Sequence, residues 1–217
     1  MAYQALSQYE QAILYFEQAL ALARQVWDRA TEGAALVNLG GASKALSRYE
    51  QALAYYEQAC TIVHDIGRRA EEGTVLNNLG EVALILSQYG RAIPYFEQAL
   101  AIAREVGDQA GEGLVLHNLG GLYYSLSQYG RAITYFEQAL TVMRAVENRQ
   151  VESVTLNNLG MAYRDLRRHA QARAALEQAL EITRHVGDRA GQAPVLNNLG
   201  TELSAQGQYE QALAYYE

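Results

Sequence analysis

The sequence predicts an all-α chain, a solenoid of stacked antiparallel helix pairs with about five repeats plus partial ends. Three observations predict it. An internal repeat runs the whole length: Leu-Asn-Asn-Leu-Gly stands at 76–80, 156–160 and 196–200, with variants at 36–40 and 116–120, always 40 residues apart. Within a repeat, two apolar runs step by three and four residues, Leu36, Leu39, Ser43 and Leu46 and then Ala52, Tyr56, Ala59 and Val63. Each run is one stripe of a helix. Helix punctuation recurs as well, with Gly-Asp-Arg-Ala or a relative at 67–70, 107–110 and 187–190.

The elements follow in order. The chain opens on a partial unit, 1–28: the tail of a first helix, Ala2-Tyr3-Gln4-Ala5-Leu6, then a second helix opened by Ser7 with Glu10 in a capping box. Four full units follow, 29–68, 69–108, 109–148 and 149–188. Each holds two helices of roughly sixteen residues. In the first of them Ser47 caps the second helix and Glu50 bonds back; Ser87 and Ser127 keep the cap, with Gly90 and Gly130 in the glutamate place. Gly107 and Gly187 suit helix C-termini, and Asp108 and Asp188 suit the next N-caps. The last unit, 189–217, turns at Gly207 and stops part-way through a second helix. Pro94 falls about seven residues into a second helix, where a kink costs about 3 kcal/mol. Pro194 lies nearer a helix start.

Composition narrows the function classes. Half of the 217 residues are hydrophobic, enough for a packed core. No apolar run is long enough to span a bilayer, and the N-terminus lacks a basic segment leading into an apolar one. Neither a membrane nor a secretory leader is expected, and with one cysteine, Cys60, the cytoplasm is the expected location. A formal charge of −7 argues against a nucleic-acid partner, which needs a basic face. His64, His117, His169 and His185 lack metal-ligand spacing, and no phosphate loop, nucleophile elbow or carboxylate pair is recognisable. No enzyme activity, metal or cofactor is therefore expected. Cys60 replaces a leucine of other repeats (Leu20, Leu100, Leu140, Leu180) and reads as a buried, inert thiol; Trp27 replaces a loop glycine.

Small residues account for the stacking. Gly40, Gly80, Gly120, Gly160 and Gly200 lie inside first helices, where glycine costs about 1 kcal/mol against alanine. Repeating that cost implies close helix approach. Ala12, Ala52, Ala92, Ala132, Ala172 and Ala212 do the same on second helices, and twelve of the sixteen tyrosines occupy the slots of Tyr49, Tyr55 and Tyr56 as packing groups. One unit cannot bury its apolar face alone, so neighbours stack. Neither end carries a polar capping unit, so the chain is expected to be a segment of a longer array or to stack end to end.

The unit resembles the tetratricopeptide repeat. Leu116, Leu119, Gly120 and Tyr123 match its first helix; Ala132, Phe136 and Ala139 match its second. Leu156, Leu159, Gly160, Tyr163, Ala172, Leu176 and Ala179 fill the same slots. The period of 40 exceeds the family's usual length of about 34, and the usual proline after the second helix is absent. This longer form is similar to the repeats of kinesin light chains, of a spindle-orientation adaptor family and of bacterial sensor and regulatory proteins. The resemblance implies a right-handed superhelix and a scaffold that binds a protein or peptide in the groove of its first helices.

Comparison among the repeats marks the same surface. The framework barely changes, whereas one slot reads Gly41, Glu81, Gly121, Met161, Thr201, a second Lys44, Leu84, Tyr124, Arg164, Ser204, and a third Ala45, Ile85, Ser125, Asp165, Ala205. In the resembling family the first two slots point into the groove. Asn38, Asn78, Asn118, Asn158 and Asn198 share one slot, and Asn77, Asn157 and Asn197 add a neighbour that is His117 in another repeat. An amide offers donors and an acceptor. With repeats roughly 10 Å apart and an extended peptide rising about 3.3 Å per residue, one asparagine can meet about every third peptide residue. The alternative is that each bonds an adjacent repeat and is structural. The candidate ligand groove is thus Asn38, Asn77, Asn78, Glu81, His117, Asn118, Tyr124, Asn157, Asn158, Met161, Arg164, Asn197 and Asn198. Its charges are mixed, without the basic cluster that clamps a terminal carboxylate. Two further readings stay open: a sensor or regulatory arm of a larger bacterial signalling protein, and a self-assembling scaffold.

Overall fold

The computed structural model describes residues 2–210, with side chains from Ser7 onward. The described residues form helices and no strand. Residues 1–108 make one compact unit and residues 109–217 a second. The first holds α1 (Ala2–Gln25), α2 (Arg29–Ala45), α3 (Tyr49–Asp65), α4 (Arg69–Ile85) and α5 (Tyr89–Val106). The second holds α6 (Gln109–Ser125), α7 (Tyr129–Ala145), α8 (Arg149–Asp165), α9 (His169–His185) and α10 (Arg189–Ala205). Within each unit every helix packs on the next in sequence, giving the all-α stack of helix pairs that the periodicity predicts. Of the even-numbered first helices, α2 and α4 belong to the first unit and α6, α8 and α10 to the second.

The repeated glycines do what their cost implies. A methyl group on Gly40 would lie 2.6 Å from a ring carbon of Tyr56, and one on Gly80 equally close to Phe96. Phe136 takes that place over Gly120 and Leu176 over Gly160. The first helix thus gives up a side chain so that the second helix's largest residue can lie flat on its backbone. Ala52, Ala92, Ala132 and Ala172 are fully buried; Ala12 is half-buried, and Ala212 lies outside the described residues. The tyrosine slots are less uniform than expected. Tyr56 is buried, Tyr49 and Tyr55 are half-buried, and Tyr9, Tyr15 and Tyr209 are exposed.

The turns correct the sequence reading. Ser47, Ser87 and Ser127 are not N-caps: they adopt φ near +57°, the left-handed conformation that ends the preceding helix. Gly67, Gly107, Gly187 and Gly207 occupy the same place without strain, and Trp27, Glu147 and Arg167 occupy it with a side chain. The following residues, Arg48 and Gln88, are the N-caps, and neither supplies a side-chain cap bond. The capping box of Ser47 and Glu50 therefore does not form. Ahead of first helices the expectation holds at Asp188, which accepts a hydrogen bond from the Gly191 amide, and Asp28 and Asn148 cap in the same way, accepting from the amides of Thr31 and Val151. The predicted break at Ser7 is absent too, because α1 runs unbroken from Ala2 through Gln25; the side chains of Ala2–Leu6 lie outside the described ones. Pro94 and Pro194 are each the sixth residue of a helix, so neither is nearer a start. Both are exposed, and Gly90, whose carbonyl loses its helix donor to Pro94, is an exposed residue as well.

A recurring ionic brace escaped the sequence reading. Glu32 is buried and accepts hydrogen bonds from Arg24 at 2.9 Å and Arg29 at 2.8 Å. Glu72 takes bonds from Arg69 and His64, and Glu152 from Arg149 and Arg144. Each ties the end of one second helix to the start of the next first helix. The Arg24 hydrogen bond holds the Glu32 carboxyl below the usual carboxylate range, against burial. At Glu72 burial pushes upward, but Arg69 and His64 together bring the carboxyl below that range as well.

Candidate functional site

Two of the three variable slots have constant exposure; the first changes only at Thr201, which is exposed. Gly41, Glu81, Gly121 and Met161 are half-buried, as are Lys44, Leu84, Tyr124, Arg164 and Ser204; Ala45, Ile85, Ser125, Asp165 and Ala205 are exposed. In each unit variation therefore falls on an accessible strip of the first helices, beside buried leucines such as Leu39 and Leu79 in the first and Leu119 and Leu159 in the second.

In the first unit the strip carries a charged rung. Lys44 Nζ on α2 lies 2.8 Å from Glu81 Oε2 on α4, and Asn77 Nδ2 donates to Glu81 Oε1 at 2.9 Å. Asn38 is exposed and Asn78 half-buried, whereas Asn77 is buried. In the second unit the rungs between first helices are mostly neutral. Tyr124 Oη donates to Asp165 Oδ2 at 2.6 Å, and burial with that bond pushes the Tyr124 phenol up to about 12. Arg164 Nε lies 3.6 Å from Asp165 Oδ1 and balances its charge. His117 Nδ1 lies 2.8 Å from Thr155 Oγ1. The Thr155 hydroxyl donates to the Val151 carbonyl at 2.7 Å, so Nδ1 carries the proton and donates to it. Asn198 Nδ2 donates to Asn157 Oδ1 at 2.8 Å across α8 and α10.

The two asparagine slots thus separate. The slot of Asn77 and Asn157 is turned inward, and both residues are buried and bonded to neighbours. The slot of Asn38, Asn78, Asn118 and Asn158 keeps solvent access. Asn198 shares that access but also serves as a rung; Asn197 is exposed. Between α6 and α8 a cavity of about 100 Å³ opens, lined by Gly121, Tyr124, Phe136, Asn158 and Met161. It brings together three expected site residues, Tyr124, Asn158 and Met161. Its floor, Phe136, reads from sequence only as framework; the signal for it is the exchange of Tyr56 for Phe at that slot beside a second glycine, Gly121.

Cys60 is half-buried rather than buried, and burial raises its thiol. His169 does more than fill a tyrosine slot, since its Nδ1 lies 2.8 Å from buried Glu202. Among the described residues no three His, Cys, Asp or Glu side chains group as metal ligands, and no helix is long and apolar enough to cross a membrane.

Known structures share this fold. BtubC (BKLC) from P. vanneervenii superposes with a TM-score of 0.82 at 21% identity, over 95% of this chain and 87% of that one. The tetratricopeptide repeat sensor protein PH0952 from Pyrococcus horikoshii, a signal transduction ATPase with numerous domains, gives 0.83 at 20% identity, over 99% of this chain and 33% of that one. A Rap protein complexed with Competence and Sporulation Factor gives 0.76 at 16% identity, over 94% of this chain and 62% of that one. At these identities the likeness is one of fold. No curated protein matches the sequence. The family model described as Tetratricopeptide repeat matches residues 1–63, 71–145 and 152–217. With its helix pairs, its glycine slots and this match along the chain, the protein belongs to the tetratricopeptide repeat family and is a repeat scaffold.

Proposed function

We propose that the scaffold binds an extended peptide segment on the first-helix strip, with Asn118 and Asn158 bonding the ligand's backbone. The observation that carries this reading is the accessible, fixed asparagine slot beside two half-buried slots that change from repeat to repeat. A fixed amide suits a backbone, which every peptide has, and variable neighbours suit side chains. The fold likeness to a Rap protein complexed with Competence and Sporulation Factor supports a ligand-holding role. Selection from a random-peptide display library, on the wild-type chain and on the Asn118→Ala/Asn158→Ala variant, tests it. Enriched sequences that bind the wild type and lose the variant, while the thermal midpoint stays within a few degrees, support the proposal. A large drop in that midpoint assigns the asparagines a structural role instead.

A second reading draws on the likeness to the sensor protein PH0952, of which this chain covers 33%. On that reading the same strip is the sensing face of a larger signalling protein. Both readings place the ligand on the first helices.

A further inference from the structure

We propose that the cavity between α6 and α8 is a side-chain pocket that sets specificity, accepting one aliphatic or methionine side chain of the bound segment. The inference rests on the groove reading above and names what the groove selects.

The pocket exists where the ring packed on the first helix lacks a hydroxyl beside a glycine. In the first unit Tyr56 lies beside Gly41, and its hydroxyl reaches to 3.7 Å from where a Gly41 methyl would stand. In the second unit the corresponding pair is Phe136 and Gly121, and a methyl on Gly121 would meet nothing within 4 Å. Loss of one hydroxyl empties that space. The first unit also spans its strip with the Lys44–Glu81 ion pair, which places charge at the equivalent mouth. In the second unit those two slots hold Tyr124 and Met161.

The lining defines the occupant. Phe136 is fully buried and forms an apolar floor, and Met161 and Gly121 add apolar walls. The Tyr124 hydroxyl is committed to Asp165, and the charge of Asp165 is balanced by Arg164. A charged side chain would find no counter-ion there, whereas an uncharged apolar one exchanges water for hydrocarbon. An apolar cavity of 150 Å³ holds benzene, so about 100 Å³ suits a group of roughly four carbons, the reach of Leu, Ile or Met. Asn158 lies at the same mouth, so an amide that bonds the ligand's backbone stands beside the pocket for its side chain.

Two variants fill the pocket. Gly121→Leu occupies it from α6 into open space. Phe136→Tyr restores the hydroxyl that the first unit already accommodates between Tyr56 and Gly41. Peptides selected on the wild type by display are expected to share one aliphatic or methionine position. Both variants are expected to bind the best such peptide about tenfold or more weakly and to erase that preference, with thermal midpoints at or near wild type. Peptides that need Asn118 and Asn158 but bind both variants as tightly as wild type would overturn the pocket and leave the groove reading standing. A library that enriches nothing on the wild type would overturn both.

Discussion

The Tyr56 ring lies against the backbone of Gly40 so closely that any side chain on Gly40 would enter it, 2.6 Å from Cε1. The same relationship joins Gly160 to Leu176, where a methyl would also stand 3.2 Å from the Ala172 carbonyl. Gly121, one position beyond this slot in its own repeat, has no such neighbour. Alanine should therefore act in opposite directions. Gly160→Ala is expected to destabilise by about 1–3 kcal/mol through overpacking, and Gly121→Ala to stabilise by up to about 1 kcal/mol through helix propensity. Urea unfolding of the two variants checks both signs, and equal effects would remove the packing account of the glycine slot.

Left-handed residues that are not glycine carry strain at the helix–helix turns. Trp27 is 85% exposed with φ +57°, and exposed Arg167 has the same φ. Neither side chain contributes core packing that would offset a cost of about 1–2 kcal/mol for the left-handed state. Trp27→Gly and Arg167→Gly are each expected to raise stability by up to about 1 kcal/mol, after allowing for glycine's greater freedom when unfolded. Denaturation midpoints lower than wild type in both would show that the side chains contribute packing after all.

The braced carboxylates predict acid sensitivity. Glu32 and Glu72 ionise in the folded chain below their ordinary value of 4.5. Their contribution is fully present above that value and is lost as pH falls through the lower folded values, because the unfolded chain binds protons first. The thermal midpoint should be level from neutral pH down to about pH 5 and fall below it. The Glu32→Gln/Glu72→Gln variant should start lower at neutral pH and lose less on acidification. Parallel curves for variant and wild type would show that other carboxylates carry the acid response.

The fold was legible because one pattern recurs without a change of register: Leu39, Gly40, Ala52 and Tyr56 have equivalents 40 residues on, and the structure puts them at the same contacts. The turn at Ser47 was misread because serine three residues before glutamate is a capping signal, whereas here the next helix begins one residue later than the pattern suggests, with Arg48 as N-cap, and Ser47 adopts the left-handed state. Gly67 at the equivalent place after α3 carries the better clue to that geometry. Within the candidate site, composition could mark Asn118 and Asn158 as unusual helix residues but could not tell them from Asn77 and Asn157. That distinction depends on a rotation of one residue around a helix, about 100°, and on partners such as Glu81, one turn along the same helix, and Asn198 from the next repeat. The Phe136 pocket was hidden for a related reason, since a missing hydroxyl matters only where the facing residue is also missing a side chain.

Side-chain amide signals of the asparagines, followed by nuclear magnetic resonance while a display-selected peptide is titrated into the chain, report where the ligand sits. Binding on the first-helix strip predicts shifts in the Asn118 and Asn158 amides and in the Met161 methyl, with the signals of Gln138 and Gln178 on the second helices unmoved. Saturable binding that shifts Gln138 and Gln178 and leaves Asn118 and Asn158 in place would contradict it.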